Sequence, residues 1–163
     1  MKNCSFTGHR IIEKSVELKL EALLYRAIEY VYSEGCRNFY AGGALGFDTM
    51  AAKAIIKMKL KYNDMRLIIV VPCREQADLW GEADRDMYEY ILSSADEVIF
   101  TSDVYTKNCM KQRNEKLVEL SDVVIAYSGR KISGSAQTVR IAKEEGKTVY
   151  NLFSRVNELM DQT

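Results

Sequence analysis

The stretch Tyr40-Ala41-Gly42-Gly43-Ala44-Leu45-Gly46-Phe47-Asp48-Thr49 decides how this chain is read. Phe39, Tyr40 and Ala41 have the character of a buried strand end, and the residues from Thr49 to Ile56 carry a helical period. Between them stand Gly42, Gly43 and Gly46. A strand, a glycine turn and a helix start together form a device for holding phosphate. Glycine lets the backbone approach an anion, and the helix N-terminus offers unpaired N–H groups and the positive end of its dipole. The spacing is not that of a Walker A loop, which ends in a Lys-Ser/Thr pair, nor a regular G-x-G-x-x-G. Asp48 has two readings. It can cap the helix through its carboxylate, or it can accept hydrogen bonds from ligand hydroxyls such as those of a ribose. A carboxylate beside a phosphate cradle suits a sugar better than a phosphate, because like charges repel.

Outward from this loop, short apolar runs alternate with longer amphipathic stretches. Strands are expected at Cys4–Phe6, Asn38–Ala41, Arg66–Val71, Glu97–Phe100, Asp122–Ala126 and Lys147–Leu152. Helices are expected at Val16–Tyr32, Phe47–Leu60, Ala83–Ser94, Cys109–Leu120 and Ser135–Glu145, followed by a short polar tail helix. Arg66–Val71 is a continuous apolar run of the kind found in a central parallel strand, and Pro72, the only proline, ends it. This order predicts an α/β fold: one domain over residues 1–163, with a doubly wound, mainly parallel sheet and helices on both faces. Ligands in such sheets bind at the carboxyl ends of strands, so the loops that matter are those just after strands.

Two more of these loops carry chemistry. In Thr7-Gly8-His9-Arg10, Gly8 permits a tight turn and Arg10 can contact a phosphate with two donors. His9 can donate to a phosphate, act as an acid–base group, or simply pack in the turn. In Tyr127-Ser128-Gly129-Arg130-Lys131-Ile132-Ser133-Gly134-Ser135, a strand again passes to a helix through small residues. Gly134 and Ser135 stand where a nest of N–H groups would form, and Ser133, Ser135 and Thr138 add hydroxyls. The plainer reading of that loop is a serine-capped helix start. Arg113 and Asn114, in the helix before the fifth strand, can face the ligand cleft or belong to a solvated helix face. Trp80 can stack on a base or pack against the body of the protein.

Composition narrows the classes. A chain of 163 residues suits one domain with a sizeable core. Basic and acidic residues are equal in number, which argues against a dedicated nucleic-acid binder. Cys4, Cys36, Cys73 and Cys109 form no C-x-x-C, and His9 is the only histidine, so no metal site is expected. Four scattered thiols fit a reduced, cytoplasmic protein. The N-terminal residues do not read as a signal peptide, and no apolar run reaches membrane-spanning length.

Thr7–Arg10, Gly42–Asp48 and Ser133–Thr138, taken in order, resemble the SLOG superfamily, which groups the Smf/DNA-processing protein A proteins with the Lonely Guy phosphoribohydrolases. The likeness is greatest to its small, single-domain YpsA-like branch. The stretch from Arg113 to Val124 is similar to the Arg-Asn helix and following strand of the DNA-processing proteins. The resemblance implies a Rossmann-like fold and a nucleotide-derived ligand such as ADP-ribose or NAD, with phosphate on the glycine loops. It places ligand contacts at Gly8, Arg10, Gly42, Gly43, Gly46, Asp48, Gly134, Ser135 and Thr138, and it implies a homodimer; His9, Thr49 and Arg113 join the expected ligand contacts from the reading of their own segments. One departure matters. The phosphoribohydrolases carry a glutamate soon after their second glycine loop, whereas Val139-Arg140-Ile141 follows Thr138 here and Glu144 lies too far along. Cleaving an N-glycosidic bond passes through an oxocarbenium-like state that a carboxylate stabilises. The expectation is therefore a binding or sensor protein. The alternatives are a nucleotide N-glycosidase using Asp48 or His9 as catalytic residue, and a single-stranded DNA binder.

Overall fold

A computed structural model of the chain describes residues 2–161. Residues 1, 162 and 163 of the expected domain lie outside the described residues. The elements follow in the order β1 (Lys2–Gly8), α1 (Lys14–Ser33), β2 (Cys36–Ala41), α2 (Phe47–Met58), β3 (Arg66–Val71), α3 (Glu82–Ser94), β4 (Glu97–Phe100), α4 (Cys109–Leu120), β5 (Val123–Tyr127), α5 (Gly134–Glu144), β6 (Thr148–Asn151) and α6 (Phe153–Asp161). The strands form one sheet in the order β4-β3-β2-β1-β5-β6. Every neighbouring pair is parallel, so the sheet is wholly rather than mainly parallel.

The alternating side chains of β3 show why both faces must be covered. Leu67, Ile69 and Val71 belong to the large core shared with α1, α2, α3 and α6. Ile68 and Val70 point the other way and pack with Leu117 of α4. Val118, Val124, Ala126, Val139 and Ala142 complete that second face between α4, α5 and β5. Arg66–Val71 lies between β2 and the edge strand β4 rather than at the sheet's centre; helices on both faces still make its run apolar. Phe6, Phe39 and Phe47 are fully buried, and Phe6 is in ring contact with the other two at the centre of the larger core. Each such side chain contributes about 1.5–3 kcal/mol by leaving water.

The chain moves outward from β1 through β2 and β3 to β4, then crosses back to place β5 on the other side of β1. The connections leaving β1 and β5 therefore diverge to opposite faces of the sheet. A crevice opens above the carboxyl ends of these two strands, which is the switch point where ligands bind in open α/β sheets.

Candidate functional site

A cleft of about 330 Å³ occupies that crevice. Its walls come from Thr7–Ile11 after β1, from Ala44 and Asp48, from Arg113, Asn114 and Leu117 of α4, and from Arg130 and Ser133–Ser135 after β5. Of the residues expected to touch a ligand, Gly8, His9, Arg10, Asp48, Arg113, Gly134 and Ser135 line it. Gly42, Gly43, Gly46, Thr49 and Thr138 do not.

The loops after β1 and β2 are knitted together. Gly8 packs so closely on α2 that a Cβ there would fall 2.6 Å from the Phe47 side chain. His9 O accepts the Phe47 N–H at 2.9 Å, which satisfies the first amide of α2. Gly46, at φ +78°, is the residue before that helix, and a Cβ on it would overlap the backbone of His9 and Arg10. Only glycine suits this conformation and this approach. Arg10 itself is exposed and lines the cleft.

Asp48 does not act as the helix cap. It is the second residue of α2, it is buried, and its Oδ2 accepts the Ala44 N–H at 3.2 Å. Arg113 and Asn114 are buried as well, so the solvated-face reading fails for both. Arg113 Nη1 donates to Gly42 O, and its Nε donates to Asn114 Oδ1 at 3.0 Å. A Cβ on Gly42 would lie 2.7 Å from Asp48 Oδ2 and 2.7 Å from Arg113 Nη1, so the bare Cα is a wedge between the two charges. Burial pushes the Asp48 carboxyl up, against the pull of Arg113, the Ala44 amide and Arg10. Burial likewise draws the Arg113 guanidinium down, against the pull of Asp48. Both shifts run toward the neutral forms, so their attraction does not fully offset the loss of water. The remaining candidates serve this frame: Thr49 Oγ1 donates to Ala44 O at 2.9 Å, and Gln76 Nε2 donates to Gly43 O at 3.3 Å.

The loop after β5 is built differently. Ser133 caps α5, its Oγ accepting the Ala136 N–H at 3.0 Å. Thr138 is buried one turn into the helix and bonds back to Gly134 O at 2.9 Å. Gly134 is exposed at the helix start, facing Asn114 across the cleft. His9 reaches this loop, where its Nε2 accepts the Gly129 N–H at 3.0 Å. Burial, and then the charge of Arg130, hold the His9 imidazole below its ordinary pKa. Arg130 was not singled out by sequence reasoning. Its one signal was its place just after a strand, which Lys131 shares.

Trp80 stands away from the cleft in edge contact with Tyr88, at 5.3 Å between ring centroids. All four cysteines are free and buried. No cluster of metal-ligating side chains occurs among the described residues. No helix among them is long and apolar enough to cross a membrane.

An all-parallel sheet that reverses at β1, with its cleft above the reversal, defines a Rossmann-like α/β protein. More narrowly, the family model described as the YspA SLOG family matches residues 9–154, and the chain belongs to that family. It is 29% identical over 178 residues to a UPF0398 protein of Bacillus cereus, covering 99% of this chain and 96% of the relative. Among solved structures, DNA processing protein A from Streptococcus pneumoniae superposes with a TM-score of 0.67 at 22% identity. That match covers 99% of this chain and 56% of the other, so this chain spans little more than half of the longer protein. DNA processing protein A from Helicobacter pylori, described for its single-stranded DNA binding mode, gives 0.64 at 18% identity, covering 99% and 81%. At these identities the structural likeness is one of fold. The expected membership of the YpsA-like branch is borne out by the family model, and the likeness to the DNA-processing proteins extends to the fold.

Proposed function

We propose that the protein is a cytosolic binding or sensor protein for a nucleotide-derived ligand of the ADP-ribose or NAD kind, held in the cleft between β1 and β5. One observation carries this reading. In a chain of zero net charge, three arginines and a single carboxylate line one cleft, beside the N-terminus of α5. Such a site favours an anion with several oxygens. Arg10 and Arg130 supply exposed cations at the cleft, and Gly134 and Ser135 supply backbone amides. Asp48, with Oδ2 engaged by the loop, offers Oδ1 to a ribose hydroxyl. Calorimetry with ADP-ribose, NAD, AMP and inorganic pyrophosphate tests the reading, and micromolar binding of at least one nucleotide is expected. Folded protein that binds none of them at low salt would refute it. A short oligothymidylate belongs in the same panel. Binding to it alone, falling steeply with salt, would move the reading to single-stranded nucleic acid.

A second reading rests on the raised carboxyl of Asp48. A buried carboxyl lining a cleft, its pKa raised by burial, is suited to proton transfer, so N-glycosidic cleavage is the alternative activity. Release of free base from NAD or nucleoside monophosphates, lost in Asp48→Asn, would establish it. No carboxylate stands on α5 before Glu144, so the carboxylate of this reading is Asp48.

A further inference from the structure

We propose that His9 is a positioning residue, whose neutral imidazole holds the Ser128–Ser135 loop in place, so that anion binding in the cleft requires an uncharged histidine. The inference rests on the cleft reading above, and it reverses the obvious role of a histidine at a phosphate site.

The geometry fixes the proton. Gly129 N–H is the donor at 3.0 Å, so His9 Nε2 must present a lone pair. In a neutral ring with Nε2 accepting, the proton resides on Nδ1; an imidazolium has no acceptor at all. The ring is held in this attitude by edge contacts to Tyr127 and Phe153, with centroids 5.1 and 5.7 Å away.

The loop it grips is braced at that spot from two further elements. Asn151, at the end of β6, accepts the Ser128 N–H through Oδ1 at 3.2 Å and donates to Ser128 O through Nδ2 at 2.8 Å. Gly129 lies flat against Phe153 of α6, where any Cβ would enter the ring. Ser135 Oγ donates to Ser128 Oγ at 3.0 Å, which ties the brace to the start of α5. Ser128 and Gly129 are therefore fixed, and Arg130 follows them directly into the cleft. Of these holds, only the one from His9 can be switched by a proton.

Arg130, on the gripped loop, opposes protonation of the ring by its charge. Arg10 follows His9 on its own loop, and the Tyr127 phenol on β5, raised by burial, is uncharged between pH 5 and pH 7.5. Phe47 and Phe153 bring no charge from the helices, and no carboxylate acts on the ring among the described residues.

A histidine that donates to phosphate binds more tightly as it gains a proton. A histidine that positions the loop as an acceptor gives the opposite sign. ADP-ribose is the right probe, because its pyrophosphate keeps its charge between pH 5 and pH 7.5. Calorimetry over that range should show affinity falling about five- to tenfold on acidification, the loss expected for one hydrogen bond. His9→Gln places a carbonyl oxygen where Nε2 stood; it should restore tight binding and flatten the profile. His9→Phe keeps the ring packing without an acceptor and should bind weakly at every pH. Affinity that rises on acidification in the wild type, and does not in His9→Gln, would overturn the proposal. A second readout needs no ligand. His9 is the only histidine, so one pair of imidazole nitrogen resonances reports its tautomer. The Nδ1–H form is expected, with the Gly129 amide shifting at the midpoint of the ring's titration. An Nε2–H form, or a Gly129 amide indifferent to that titration, also overturns the proposal. If no ligand binds but tautomer and coupling hold, the cleft reading fails while the grip of His9 on the loop stands.

Discussion

The loops after β2 and β5 both pass from strand to helix through glycine, and they are built to opposite ends. In Gly42–Asp48 the polar groups turn inward. Gly42 O meets Arg113, Gly43 O meets Gln76, and the Ala44 N–H meets Asp48. In Ser128–Ser135 the first two residues are gripped by other elements, after which Arg130, Lys131, Ile132 and Gly134 are exposed and Arg130 enters the cleft. The difference teaches what a glycine reports. It marks a place where the backbone must come close to something. At Gly46 that is the backbone of His9 and Arg10, at Gly42 a buried charge on each side, and at Gly129 the ring of Phe153. Gly134 differs, because its neighbourhood is open toward the cleft, and a Cβ placed there would stand 3.7 Å from Asn114 Nδ2.

The contrast is exposed first by adding one methyl group to each loop. Gly46→Ala should cost about 2–5 kcal/mol in urea unfolding, combining positive-φ strain of about 1–2 kcal/mol with overpacking of about 1–3. Gly134→Ala meets open space at a helix start and should change stability by less than about 1 kcal/mol. Equal losses at the two glycines would end the distinction. Next come the two arginines. Arg113→Met leaves Asp48 buried without its cation and Gly42 O without its donor, so a loss of about 3 kcal/mol is expected. Arg130→Met removes an exposed cation and should leave stability within about 0.5 kcal/mol, while weakening ADP-ribose about tenfold or more by calorimetry.

The smallest effect is a pH dependence. The Asp48 carboxyl is raised in the folded protein. A raised carboxyl favours the fold most fully below its unfolded value near ~3.9, and that contribution is lost as pH rises through the folded value. Wild type measured against Asp48→Asn should therefore lose relative stability from pH 4 toward pH 7. The reverse slope would mean that Arg113 outweighs burial at this site.

Much of this was legible along the chain. The alternation of apolar runs with amphipathic stretches placed eleven elements to within a few residues and foresaw the twelfth, the tail helix, without bounds, because period and turn chemistry are local properties. The three loops that meet at the cleft were legible too, since each directly follows a strand. The burial of Arg113 and Asn114 was not. On α4 they sit between Lys111, Gln112, Glu115 and Lys116, and a helix so polar reads as solvated on every side. Arg130 was lost beside Lys131 for a similar reason: two adjacent cations in a loop carry no mark of which one faces inward.

Local chemistry along the chain thus established a strand-and-helix alternation, a parallel sheet and the loops that stand at the carboxyl ends of its strands. Asp48 shows where that reach ended. From its neighbours it was a helix cap or a hydroxyl acceptor, and nothing nearby in the chain chose between them. The fold removes the cap reading and gives the carboxyl two partners, the Ala44 N–H and Arg113, which arrives from α4 after the chain has crossed to the other face of the sheet. Charge interactions depend on distance through space and on how much water the fold excludes, and neither is written in the order of residues. The same holds for His9: its partner Gly129 lies 120 residues away, and only the pairing of β1 with β5 brings a lone pair to that amide.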